Sequence, residues 1–164
     1  MSANSNQQLL LLEKVLLLKS LSIFKETPET TLAELAPLMQ EEEVEQGTII
    51  FEENEPGDCM YVIFSGKIKI HKGKTSLAIL QEKEVFGELS LLDAETRSAT
   101  ATAETDCILF KIDQEPFYEL IDTRPEVARG FIKILCNRLR QLNEKTARGS
   151  LSMLFIFLSI GILS

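Results

Sequence analysis

The sequence is short of the residues that build metal sites and covalent cross-links: it has one histidine and three cysteines in 164 residues. Cys59, Cys107 and Cys136 are odd in number and far apart, a pattern that suits neither a disulfide framework nor a zinc ribbon. It predicts reduced, buried thiols in a cytoplasmic protein. His71 follows Lys67 and Lys69 at period two, with Ile68 and Ile70 on the alternate face, so its ring is expected to point to solvent. A metal-dependent enzyme needs several histidine or carboxylate ligands converging on one ion. One exposed histidine does not supply them, and no metal or cofactor is expected. Basic residues are also in short supply, 17 against 25 acidic ones, for a formal charge of −8. Nucleic-acid binding rests on a dense basic footprint, so no nucleic-acid partner is expected, which leaves room for one small basic pocket. No Lys or Arg precedes Glu13, so the leucine-rich start lacks the basic flank of a secretory signal. What the chain has in quantity is hydrophobic residues, 45% of the total. That is enough for a real core in one domain of ordinary size, and it excludes global disorder.

The periodicity divides the chain into four stretches. Residues 1–40 read as helices: leucines crowd 9–12 and 16–18, and Pro28 breaks the run. Pro28 suits the first turn of a second helix, with Thr27 as its cap and Glu29 and Glu34 towards its positive end. Leu32, Leu35, Ala36 and Met39 have the spacing of a buried helical stripe. Residues 41–113 change to short, often β-branched runs at 48–51, 60–64, 67–70, 76–80, 98–103 and 107–112, separated by turn residues such as Pro56, Gly57, Gly66 and Gly73. Closely spaced strands with such punctuation imply an antiparallel sandwich or barrel. Residues 114–150 return to helix, one short segment ending before Pro125 and a longer one over 127–148. In the longer helix Phe131, Leu135, Leu139 and Leu142 form the apolar stripe expected to pack on the strands. Its many Lys and Arg side chains read either as a solvated face or as ligand contacts. The last stretch, 151–164, is an apolar tail. Thirteen helical residues from Leu151 to Leu163 span about 20 Å, against roughly 30 Å of bilayer core, which is short for a membrane span. The tail reads as a helix packing on this domain or on a partner, with membrane contact as the alternative.

One segment concentrates the chemistry. Phe86, Gly87, Glu88, Leu89, Ser90, Leu91 and Leu92 are followed, after four residues, by Arg97, Ser98 and Ala99. Gly87 lets backbone approach a ligand closely. A helical turn over 88–92 would point free amides outward, as an anion requires. Arg97, at the start of the next strand, can pair with a phosphate through two parallel N–H bonds. Ser98 and the amide of Ala99 add neutral donors, and Glu88 makes sense as an acceptor for a sugar hydroxyl. The competing reading is a surface turn carrying a Glu88–Arg97 salt bridge.

The whole string resembles the phosphate-binding cassette of cyclic nucleotide-binding domains: Phe-Gly-Glu-aliphatic-small-Leu-aliphatic, a short variable stretch, then Arg-small-Ala. Every fixed position is met. Gly47, Ile50, Pro56, Gly57, Asp58, Tyr61, Val62, Ile63, Ser65 and Gly66 are similar to the same family's glycine-punctuated strands, and the resemblance covers roughly residues 17–145. It implies an α+β fold, an antiparallel β-roll (a double-stranded β-helix, jelly-roll-like) flanked by N-terminal helices and a C-terminal lid helix. In that organisation 1–40, 41–113 with the cassette at 86–99, 114–150 and 151–164 are all parts of one domain. It also implies that Arg97 pairs with the cyclic phosphate and Glu88 with the ribose 2′-hydroxyl. Gly87, Leu89, Ser90, Ser98 and Ala99 would line the pocket, and Arg138, Leu142 or Asn143 of the lid helix would meet the base. Two departures stand out. Glu82, Lys83 and Glu84 precede the cassette where members often carry a Gly-Asp turn. After Arg148 only sixteen residues follow, mostly apolar, in which no helix-turn-helix domain fits.

The expected function is therefore a sensor module for cyclic AMP, or less expectedly cyclic GMP, coupling ligand to helix movement and acting on a partner protein or a second copy through its apolar helices. The alternative keeps the fold but has lost the ligand and serves as an interaction or structural domain. An enzyme is not expected: no nucleophile–histidine pair or paired carboxylates stand at suitable spacing.

Overall fold

Along the strand Cys59–Ser65 successive side chains face two different cores, and that alternation organises the molecule. Cys59, Tyr61 and Ile63 point into one cluster, Met60 and Val62 into another. All five are buried, so the run reads as continuously apolar, as a strand covered on both faces must. The computed structural model describes residues 2–25, 27–93 and 95–147. Its helices are α1 (Ser2–Ser20), α2 (Glu29–Leu35), α3 (Glu88–Asp93), α4 (Gln114–Thr123) and α5 (Pro125–Ala147). Its strands are β1 (Gln40–Val44), β2 (Ile49–Phe51), β3 (Cys59–Ser65), β4 (Ile68–Lys72), β5 (Thr75–Leu80), β6 (Val85–Phe86), β7 (Thr100–Ala103) and β8 (Cys107–Asp113). They form two four-stranded antiparallel sheets, ordered β1-β8-β3-β6 and β2-β7-β4-β5. The fold is the expected α+β, jelly-roll-like β-roll with flanking helices.

The inter-sheet core pairs bulk with smallness. On the inner face of the second sheet Ile68 and Ile70 stand beside Ala103 and Ala101, with Leu80 next to Ile68, and Leu109, Phe86 and Tyr61 of the first sheet fill the other side. The second core lies between the outer face of the first sheet and the helices. Leu17, Leu18, Leu21, Phe24, Leu32, Leu35, Phe117, Val127 and Phe131 meet Met60, Val62, Phe110 and Ile112 there. Phe131 stands edge-on to Phe24 at 5.4 Å and to Phe117 at 5.0 Å. Burying one such side chain contributes about 1.5–3 kcal/mol.

Several expectations needed correction. The strand β1, Gln-Glu-Glu-Glu-Val, has no apolar alternation because it is the outer strand of its sheet, paired only with β8. Charged side chains there keep a free edge from pairing with another chain. Thr27 does not cap α2. Pro28 occupies that position, its carbonyl accepting the amides of Thr31 and Leu32, while the carbonyl of the buried Thr27 accepts a hydrogen bond from Lys19 at 2.9 Å. Met39 is buried as expected, but beyond a 3-10 turn at Ala36–Leu38 rather than on the helix. The stripe of α5 packs for only part of its length: Phe131 is buried, Leu135 half-buried, and Leu139 is 44% exposed. Helical spacing says which side chains share a face, not how far the covering layer extends, and α5 lies against the turn Ser22–Phe24 and α4. Gly130 permits that approach, since a Cβ there would stand 3.2 Å from the Ile23 carbonyl. Cys59 and Cys107 are buried free thiols, whereas Cys136 is only half-buried. His71 faces outward from β4 as expected, its ring nitrogens 2.8 Å from the Gly73 carbonyl and the Thr102 hydroxyl. Among the described residues no helix is long and apolar enough to cross a membrane, and the tail 151–164 lies outside them.

A forked ion pair ties α2 to the α4–α5 junction. Arg124 donates from Nε to both Glu34 oxygens at 3.0 and 2.8 Å and from its second nitrogen at 2.7 Å. Those bonds hold the Glu34 carboxyl below its ordinary value of 4.5. A depressed folded pKa contributes stability above the unfolded value and loses it as pH falls through the folded one. The stability difference between wild type and Glu34→Gln should therefore be present at pH 7 and be lost as pH falls through the lowered pKa of the folded carboxyl. Because both groups are exposed, it should be small and shrink in high salt. Urea unfolding across that acidic range, at low and high salt, measures it, and a difference that does not change with pH would exclude the ion pair as its cause.

Candidate functional site

The cassette begins where β6 ends. Gly87 takes φ +76°, a left-handed backbone that costs other residues about 1–2 kcal/mol, and α3 starts at the next residue. The far end of α3 is fastened to α4: Gln114 donates from Nε2 to the carbonyls of Ser90 at 3.1 Å and Leu91 at 2.9 Å, and the Tyr118 hydroxyl donates to that of Leu92. These satisfy carbonyls that a helix end leaves open.

Arg97 arrives from a second direction. Its amide bonds to the Glu55 carbonyl and its carbonyl accepts the Asn54 amide, both at 2.7 Å, which lays the segment before β7 against the loop after β2. From there the side chain turns inward and is only 5% exposed. One terminal nitrogen donates to the Cys59 carbonyl at 2.9 Å and, more weakly, to that of Gly87 at 3.5 Å. The other lies 3.1 Å from Cys59 Sγ. Phe51 presents its ring to the guanidinium, centroid to Cζ 4.2 Å. The Nε of Arg97 is buried with no hydrogen-bond partner. Beside it lies Gly57, where a Cβ would fall 2.6 Å from that Nε and 2.5 Å from Ser90 Oγ.

The structure brings together Gly87, Glu88, Ser90 and Arg97, with Glu88 3% and Ser90 6% exposed. Leu89 and Ser98 are half-buried alongside, and Ala99 sits in the inter-sheet core. Burial of both Glu88 and Arg97 corrects the surface-turn alternative. Arg138, Leu142 and Asn143 fall in α5, and none of the described contacts joins them to the cassette. Asn143 is exposed, and the side chains of Arg138 and Leu142 lie outside the described residues. Lys83, where a Gly-Asp turn was the familial expectation, takes φ +66° in a turn closed by the Glu84 amide on the Gln81 carbonyl.

Three residues around Arg97 were not among the sequence candidates: Phe51, Gly57 and Cys59. Cys59 stands 38 positions before Arg97, and no local pattern connects positions so far apart. The site is backed by an aromatic group in which Tyr61 and Phe86 stack at 5.1 Å with 14° between planes. Burial, assisted by the neighbouring Cys59, pushes the Tyr61 hydroxyl above its ordinary value of 10, so it stays a neutral phenol. Two described surface depressions, of about 520 and 410 Å³, lie around Ser65–Lys67 and Thr105–Ile108 and contain none of the cassette residues. Among the described residues no group of His, Cys, Asp and Glu could hold a metal ion.

Comparison with known proteins points to one family. The family model for the cyclic nucleotide-binding domain matches residues 41–124, just over half of the chain. The chain is 33% identical over 130 residues to a CRP-like cAMP-activated global transcriptional regulator of Mycobacterium tuberculosis, covering 76% of this chain and 58% of that protein. It is 39% identical over 101 residues to the cyclic AMP receptor protein of Thermus thermophilus, covering 58% of this chain and 47% of that one. With human cGMP-dependent protein kinase 2 it shares 29% identity over 142 residues, 82% of this chain and 19% of the kinase. The chain thus spans about half the length of the two bacterial regulators and a fifth of the kinase. Among solved structures, the Thermus thermophilus catabolite activator protein superposes with a TM-score of 0.70 at 31% identity, covering 79% of this chain and 63% of that one. The N-terminal domain of a Streptomyces coelicolor transcriptional regulator gives 0.69 at 33%, covering 78% and 92%. With its cassette complete, its β-roll in place and its strands under the family model, this chain belongs to the cyclic nucleotide-binding domain family.

Proposed function

We propose that the chain is a non-enzymatic regulatory module that binds a cyclic purine nucleotide, cyclic AMP in preference to cyclic GMP, at residues 87–99. The observation that carries the reading is the buried guanidinium of Arg97, whose Nε has no hydrogen-bond partner and stands beside Gly57 and Ser90. A buried cation with an unused donor is stabilised by an arriving anion. Arg97 takes the cyclic phosphate, Glu88 the ribose 2′-hydroxyl, and Gly87, Leu89, Ser90, Ser98 and Ala99 shape the pocket. No metal or further cofactor takes part. The names of the two bacterial relatives support cyclic AMP.

Output runs from α3 to α4 through Gln114 and Tyr118, and from there to α5. Ligand must bind one arrangement of these helices better than the other, since only differential affinity shifts a population. Leu10, Leu12 and Leu16 of α1 and Ile132 and Leu139 of α5 are exposed and would meet a partner protein or a second copy, in the cytoplasm.

A competition titration with both nucleotides and with 2′-deoxy cyclic AMP tests the reading. Wild type should bind cyclic AMP more tightly than cyclic GMP. It should bind the deoxy analogue about 5- to 150-fold more weakly, the effect of about 1–3 kcal/mol for a buried acceptor left without its partner. In Glu88→Gln that gap should narrow. Additive effects would remove Glu88 from the ribose, tenfold tighter cyclic GMP would reverse the preference, and binding of neither nucleotide would leave the interaction-domain reading.

A further inference from the structure

Two sets of contacts fix the guanidinium of Arg97 in space, and each restrains a different freedom. Carbonyl and thiol of Cys59, at 2.9 and 3.1 Å, hold the two terminal nitrogens and so set rotation within the plane. The ring of Phe51, 4.2 Å from Cζ, lies against the guanidinium. Phe51 is itself fixed by Phe86 at 5.8 Å and Tyr61 at 6.3 Å. An arginine carries five N–H donors on three nitrogens in a rigid planar fork, and here the nitrogen with no hydrogen bond is Nε.

We infer that Phe51 is a positioning residue for anion capture: its ring holds the Arg97 guanidinium by a cation–π contact so that the Nε edge is presented to a phosphate. The inference rests on the cyclic-nucleotide reading above and deepens it. The electron-rich face of an aromatic ring attracts a cation, and does so more strongly in a desolvated site. A guanidinium already oriented loses less side-chain freedom when the anion arrives. Phe51 acts through Arg97, so what matters is its π face rather than its bulk. Leucine preserves the apolar character and loses the quadrupole, whereas tyrosine keeps it.

The test uses the full chain with cyclic AMP and cyclic GMP as probes, in wild type, Phe51→Leu and Phe51→Tyr, with Phe51→Met replacing the leucine variant should that one fail to fold. The leucine or methionine variant should bind about five- to thirtyfold more weakly, equivalent to about 1–2 kcal/mol at about 1.4 kcal/mol per decade. The tyrosine variant should stay within about threefold of wild type, and thermal unfolding should show all of them folded. The Nε–H resonance of Arg97 reports whether the contact exists in solution: the ring-current contribution of Phe51 should disappear with leucine and remain with tyrosine, and the split in affinity between those two variants separates the π face from packing. Wild-type affinity in the leucine variant, or equal losses with leucine and tyrosine, would overturn the role of Phe51 while leaving the binding site standing. Failure of wild type to bind either nucleotide would overturn the cassette reading, and the role of Phe51 with it.

Discussion

Replacing Arg97 with alanine is expected to lower affinity for cyclic nucleotide by about thirtyfold to several thousandfold while the protein stays folded. Loss of one partner from a desolvated charge pair costs roughly 2–5 kcal/mol of binding, and each 1.4 kcal/mol or so is a factor of ten. The fold should survive because the effects on stability oppose one another. Truncation leaves the Cys59 carbonyl without the 2.9 Å donor it now has, but it also removes a cation that is 5% exposed and expensive to bury. Arg97→Lys should recover part of the affinity only, since an ammonium does not reproduce the planar fork. Calorimetric titration of the three proteins, with thermal unfolding alongside, measures both halves of this statement. Equal affinities for wild type and Arg97→Ala would exclude Arg97 from the site.

Gly87→Ala should damage both stability and binding. Its φ of +76° is strained for any residue with a Cβ, and the added methyl would stand 2.6 Å from a terminal nitrogen of Arg97 and 3.1 Å from the Cys59 carbonyl. The backbone strain alone is about 1–2 kcal/mol, and relieving the clash requires the guanidinium to leave its place. A loss of about 2–3 kcal/mol in stability is expected, about 4–12 °C in Tm for a chain of this size, together with at least tenfold weaker cyclic nucleotide binding. Gly73 supplies the control. It too has positive φ, +53°, but nothing lies within 4 Å of its missing Cβ. Gly73→Ala should show the strain without the binding defect. A Gly87→Ala protein that binds as wild type would mean that the guanidinium need not occupy its observed position.

The cassette was legible in the amino-acid string because its parts are local. Gly87, the short helix α3 and Arg97 lie within eleven residues, and a helix start, a left-handed glycine and a returning basic residue are properties of neighbours along the chain. Most strands were legible for a similar reason: a buried strand must be apolar on the faces it buries, and turn glycines such as Gly66 and Gly73, at φ +95° and +53°, mark where it stops. The acidic strand β1 was not legible, since what makes it a strand is pairing with β8 across the sheet rather than anything in its own side chains. The stripe on α5 was visible as a stripe, but only packing decided that Phe131 is covered and Leu139 is not. The surroundings of Arg97 were decided by tertiary structure alone. Phe51 comes from β2 in one sheet and Cys59 from β3 in the other, and they meet one guanidinium because the two sheets pack against each other. Local sequence specifies dihedral preference and the faces that shun water; which distant faces meet depends on how the whole chain closes its core.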